Sequence, residues 1–154
     1  MKTVLLPMSI RDVHRILTYE KTLIFKKSIP TCQMPFKVLL YCIKNSNYES
    51  LEKEFDAEWI TEHNGKVVAE FVIDSVSTLL YNKVVENYVA LKSLKEISPE
   101  VLVAGNTTKE SLIKYGKEKN LNIFAIVDLK KYEVPTELQN YNIETSPLNW
   151  KYIN

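Results

Sequence analysis

Residues Tyr19–Ser28 read YEKTLIFKKS, and how this stretch is read decides the fold. Its centre, Leu23–Phe25, is apolar and rich in β-forming residues. A Lys-Thr pair stands before it and two lysines follow, with Pro30 ending the run. This is the outline of a half-buried strand with charge at both ends. The question is whether those charges keep a strand edge in water or line the mouth of a site.

Working outward, Thr3–Met8 is a short apolar strand. Ser9, with Asp12 three residues on, then opens an amphipathic helix over Ser9–Thr18, whose Ile10, Val13, Ile16 and Leu17 recur at helical spacing. After the opening stretch, Phe36–Lys44 (FKVLLYCIK) is a continuous apolar run between Pro35 and a polar Asn-Ser-Asn, as expected of a central strand. Residues 45–64 are polar and acidic and are expected to form an insertion loop with a helical turn around Leu51–Ile60. Asn64-Gly65 is a turn signal that launches the strand KVVAEFVIDSV. Leu80, Val84, Tyr88, Leu91 and Leu94 keep a helical stripe, which predicts a helix over 79–97. Thr107 with Glu110 is a second capping box, opening a helix that runs to about Lys119. NIFAIVDL is a strand continued by Asp128–Tyr132, Pro135 begins a short turn or helix, and the tail PLNWKYIN is a strand.

Helices and strands do not alternate regularly, which disfavours a doubly wound parallel sheet. The 154 residues form one domain of α+β class, with a mixed, mostly antiparallel sheet and helices at its flank. A net charge of +1 gives no global field for non-specific DNA binding, so any nucleic-acid role rests on a local patch. Three glycines leave no Gly-rich phosphate loop. Cys32 and Cys42 have no metal-ligand spacing and are expected to be reduced thiols. No signal peptide and no apolar span of membrane length is present, so a cytoplasmic location without membrane contact is expected. His14 is expected to be a partly buried helix residue and His63 an exposed loop residue. Neither joins a nucleophilic constellation.

The segment SIRDVHRILTYEKTLIFKK (9–27) resembles the start of the ASCH domain, a member of the PUA-like β-barrel superfamily. The resemblance continues through KVLLYCIK, GKVVAEFVIDSV, ESLIKYG, VDLKKYEVPTEL and PLNW. It is nearest to small single-domain bacterial and phage proteins of this kind, and it omits 45–64 and 79–97. It implies a small PUA-like barrel. In the family pattern Gly-x-Lys-x-x-Glu-x-Arg, Lys21 keeps the lysine, while Tyr19, Ile24 and Lys26 stand at the glycine, acidic and arginine positions. Relatives that act as acetylcytidine amidohydrolases are thought to use that lysine, a threonine at the Ile24 position and a glutamate matched by Glu70. Ile24 cannot be a nucleophile, and Thr22 lies about 7 Å further along a regular strand.

Glu70 has two readings. It is either a structural carboxylate paired with a lysine or facing water, or a cleft carboxylate. Lys21 and Lys26 would otherwise be solvated strand-end lysines; the resemblance places Lys21 in a cleft. Trp150 and Tyr152 share a face and are expected to pack in the core rather than serve as a stacking platform.

These observations lead to a non-catalytic module that binds a nucleotide or single-stranded RNA. Its cleft would lie between the first helix, the opening strand and the Glu70 strand, with Arg11, Lys21, Thr22, Lys26 and Glu70 as ligand-binding residues. No cofactor and no metal is expected. The alternative is an amidohydrolase or nuclease acting on a modified nucleoside or RNA, with Lys21 as base and Glu70 positioning the substrate. A third class is a phage-type protein-interaction module docking through 45–64 and 79–97.

Overall fold

The run FKVLLYCIK becomes the middle of a five-stranded sheet, because both of its faces are covered by protein. In the computed structural model, which describes residues 1–153, the sheet order is β8-β4-β3-β1-β9. Here β1 is Thr3–Met8, β3 Phe36–Cys42, β4 Val67–Ile73, β8 Val127–Thr136 and β9 Lys151–Ile153. β1 runs parallel to β3, with Val4 opposite Val38 and Leu6 opposite Leu40; the other pairs are antiparallel. One face of this sheet carries Val4, Leu6, Phe36, Val38, Leu40 and Phe71 into the main core, and the other carries Leu5, Leu39, Tyr41 and Val67 into a smaller cluster. Two-sided burial explains why β1 and β3 read as unbroken apolar runs.

A second, wholly antiparallel sheet has the order β2-β7-β5-β6, with β2 at Leu23–Lys26, β5 at Val76–Asn82, β6 at Asn87–Ala90 and β7 at Leu121–Ala125. The α+β class and mostly antiparallel pairing are as expected, with the strands in two sheets rather than one closed barrel. Trp150 sits between the sheets, its ring edge-on to Phe36 of β3 (6.2 Å) and Phe124 of β7 (5.4 Å), while its indole N–H donates to Ser28 O. Trp150 thus packs in the core as expected, whereas Tyr152 is 45 % exposed and its hydroxyl meets Thr31.

Helix α1, Ile10–Leu17, begins where the capping signal put it: the Ser9 hydroxyl accepts from Asp12 N, and Ile10, Val13, Ile16 and Leu17 are buried. Segment 45–64 is not an appended loop. It holds α2 (Tyr48–Leu51) and α3 (Ala57–His63), and Leu51 and Ile60 are fully buried in the main core. The Asn64 side chain clamps the segment's two ends, accepting from Asn45 N and donating to Asn45 O, both at 2.8 Å. Gly65 then turns the chain at a φ of 72°, a conformation that glycine adopts at no steric cost. His63 is half-buried rather than exposed, stacked on Trp59 at 4.3 Å, in an aromatic cluster with Phe55 and His14.

The helix expected over 79–97 is a β-hairpin. Of the helically spaced apolar residues, Leu80 lies in β5 and Tyr88 in β6, beside β-formers such as Tyr81 and Val89, while Val84 falls in the turn between the strands. The Asn82 carboxamide accepts from Val84 N and Val85 N, closing a turn in which Glu86 takes a φ of 53°. The helix that does form nearby, α4 (Pro99–Ala104), has Ser98 as N-cap and proline in its first turn. α5 spans Lys109–Gly116, and its cap is Thr108 rather than Thr107. Cys32 and Cys42 are both free thiols. No helix among the described residues is long and apolar enough to cross a membrane.

Candidate functional site

The start of α1, strand β2 and the corner between α4 and α5 enclose a cleft of about 620 Å³. Lys21 is its most constrained group. The chain leaves α1 through Tyr19, whose φ of 63° is a left-handed conformation uncommon for a tyrosine. This is the position that the resemblance matches to a glycine. Glu20 N and Lys21 N then both donate to Arg15 O, which turns the Lys21 side chain inward. Lys21 is only 8 % exposed, and its ammonium donates to Gly105 O at 2.6 Å. An ammonium has three N–H donors, so two remain for a group in the cleft. Burial pushes the Lys21 pKa down, against an upward pull from the Asp12 carboxylate, and Arg15 adds to the depression. Burial also lowers Lys26, helped by its neighbour Lys27 and opposed by Asp12.

Gly105 allows that closeness. It lies so near the Phe25 ring that a β-carbon there would stand 2.1 Å from Phe25 Cε2. The corner is further held by Thr22 N, which donates to Ala104 O at 2.8 Å. Beyond it, Thr107, Thr108, Ser111 and Tyr115 line the wall opposite β2, and Ile24 and Leu112 add apolar surface. The Thr108 hydroxyl caps α5, accepting from Ser111 N. Cations, hydroxyl groups, one aromatic ring and one carboxylate (Asp12, paired with Arg15 at 3.6 Å) thus share a concave surface that can take an anionic ligand with a planar group.

Of the residues singled out from sequence, Lys21 and Lys26 line this cleft, together with Ile24. Thr22 does not: its side chain is exposed and its backbone serves the corner. Arg11 points away and is paired with Glu54 at 2.7 Å; Arg15, one helical turn on, lines the cleft instead. Glu70 corrects the expectation of a shared Lys21–Glu70 cleft. It projects from β4 on the face of the five-stranded sheet opposite the main core, where Lys37 of β3 is 3.2 Å away and the Tyr132 hydroxyl donates to it. Burial raises the Glu70 pKa, but the Lys37 and Tyr132 hydrogen bonds outweigh it and hold the carboxyl below its usual value. Asp12, Arg15, Thr107, Thr108, Ser111 and Tyr115 were missed. The two capping signals, at Ser9 and Thr107, marked helix starts but not that both would converge on one cleft.

No protein-family model matches this chain, and no curated protein matches it in sequence. Solved structures do. The ASCH protein of Zymomonas mobilis superposes with a TM-score of 0.66 at 10 % identity, covering 99 % of this chain and 88 % of that one. A serine-to-alanine variant of that protein gives 0.66 at 10 % identity, covering 99 % and 89 %. A tyrosine-to-phenylalanine variant gives 0.60 at 11 % identity, covering 100 % and 91 %. Similarity of this extent, at so low an identity, bears out at the level of architecture the resemblance read from residues 9–27 and onward. The chain has the fold of the ASCH domain.

Proposed function

We propose that this chain is a nucleotide- or single-stranded-RNA-binding module of ASCH type. The observation that carries the reading is Lys21: a buried ammonium with two donors beyond its bond to Gly105 O, lining a cleft that also holds Arg15, Lys26 and the hydroxyl wall of α5. Burying a cation is costly, and a bound phosphate offsets that cost. The near-neutral net charge means that this local cluster, rather than a global field, supplies the attraction. Titration of labelled single-stranded RNA and duplex DNA at two salt concentrations tests the reading. Single-stranded RNA is expected to bind better, with log K falling by about 0.7 per tenfold rise in salt for each phosphate contacted. Lys21→Met is expected to weaken binding severalfold. Absence of binding at low salt removes the RNA arm, and nucleoside monophosphates tested alongside decide the nucleotide arm.

One observation favours a second reading, as a hydrolase or nuclease. Burial lowers the Lys21 pKa in the direction a general base needs. Against it, Ile24 supplies no nucleophile and Glu70 lies across the sheet. No hydrolysis of acetylcytidine is therefore expected. Turnover of acetylcytidine or RNA that disappears in Lys21→Met would make the chain an enzyme.

A further inference from the structure

The cleft has a direction. β2 and α5 are tied together at both ends: at one, Lys21 donates to Gly105 O just before α5, and at the other, Lys27 lies 4.8 Å from the ring centre of Tyr115, near the end of α5. The eight residues of α5 span about 12 Å at about 1.5 Å each. Lys21 stands at the first end, with Arg15 there paired to Asp12 at 3.6 Å; Lys26 follows along β2, and Lys27, beside the cleft rather than in its lining, marks the second. Between the ends, the buried Ile24 and Leu112 form an apolar floor beside the hydroxyl wall of Thr108 and Ser111. A mononucleotide carries its phosphate at one end only, so it engages one group of cations and leaves the other unused. A strand stacked at about 3.4 Å per nucleotide fits about three residues into about 12 Å, with phosphates towards both ends. Tyr115, 38 % exposed on the cleft wall, has Lys27 over one face of its ring, and a base stacks there by taking the other face or by displacing that ammonium.

Resting on the binding reading above, we propose that the cleft is filled lengthwise by about three nucleotides of a single strand, with one base stacked on Tyr115 beside Lys27. It therefore selects short oligonucleotides over mononucleotides. Neither Tyr115 nor Lys27 is needed for the phosphate contact at Lys21; they read length.

The test is calorimetric titration of the full chain with adenosine 5′-monophosphate and with the 5′-phosphorylated di-, tri- and tetra-adenylates. Affinity is expected to rise at least about tenfold from mono- to trinucleotide and then to level off. Tyr115→Leu is expected to lower trinucleotide affinity at least about fivefold, clearly more than it lowers that of the monophosphate, with Tyr115→Phe restoring the difference. Lys27→Gln, at an exposed position, gives a second readout if Tyr115→Leu disturbs the fold: it should reduce the trinucleotide advantage and its salt dependence. Equal affinity for mono- and trinucleotide, or equal loss for both in Tyr115→Leu, overturns this proposal and leaves the binding reading intact. Failure of every probe to bind overturns both.

Discussion

Replacing Gly105 with alanine tests whether the corner that holds Lys21 is seated by close approach. Gly105 has φ −83° and ψ −2°, a conformation open to any residue. By backbone entropy alone, alanine should therefore stabilise the fold by about 0.4–1 kcal/mol. The contact argues the other way. The new β-carbon would stand 2.1 Å from Phe25 Cε2, and 3.0 and 3.1 Å from Cζ and Cδ2. Carbon atoms rest at about 3.5–4.0 Å, so the ring or the corner has to move by about 1.5 Å. Phe25 is 8 % exposed and cannot simply swing into water. Overpacking of this kind costs about 1–3 kcal/mol, so the contact outweighs the backbone gain and Gly105→Ala is destabilising. If the corner yields rather than the ring, the Lys21 bond to Gly105 O lengthens and affinity for the ligand falls as well. Urea denaturation of wild type, Gly105→Ala, Phe25→Leu and the double variant closes a cycle. The smaller leucine should relieve the clash, giving a favourable coupling of about 1 kcal/mol or more. A Gly105→Ala protein within about 0.5 kcal/mol of wild type, or two changes that simply add, would refute the reasoning.

For Lys21, burial disfavours the ammonium in the folded state, so the folded pKa lies below the unfolded value near 10.5. The unfolded chain then binds more protons between those two pKa values, and the Lys21 contribution to stability rises with pH across that window. The stability difference between wild type and Lys21→Met, followed by urea midpoints from neutral into mildly alkaline solution, should therefore grow in favour of wild type. A difference that shrinks or stays flat contradicts the burial. Glu70→Gln is expected to cost less than about 1.5 kcal/mol at neutral pH, since the Lys37 pair is partly exposed and one hydrogen bond contributes about 1 kcal/mol. The folded pKa of Glu70 is depressed, so its contribution is present at neutral pH and lost as pH falls through that value; the variant should lose less stability in acid than wild type. Its oligonucleotide affinity should stay within about twofold of wild type, and a larger loss would return Glu70 to the site.

What could be read from the sequence followed from local signals with one solution. Ser9 before an amphipathic run gave α1, and FKVLLYCIK between a proline and a polar cluster could only be a strand covered on both faces. The hairpin was misread because Leu80, Val84 and Tyr88 happen to keep helical spacing across two strands and the turn between them, a turn closed by Asn82. For the site, Lys21 and Lys26 were legible because they flank a strand that the resemblance had already placed. Glu70 was misplaced because period two says that it faces away from Phe71 but not which face of the sheet meets α1. That choice is made by β3, whose Lys37 and Leu39 share the side of Glu70. Arg11 and Arg15 lie on one helical face, and only the position of Glu54, in a segment expected to be a loop, separates the paired arginine from the one at the cleft.

β1 lies between β3 and β9, with Thr3, Val4 and Leu5 opposite Ile153, Tyr152 and Lys151. On the ribosome, β1 and β3 emerge early and can pair, yet the outer edge of β1 has no partner until residues 151–153 have been made. Until then an apolar strand, Val4–Leu6, presents unpaired backbone groups of the kind that recruit other chains. Trp150, which fills the space between the two sheets, arrives at the same moment. Closure of the first strand and of the core therefore depends on a segment made long after β1. Until that segment has emerged, the nascent chain stays open to aggregation at its first strand.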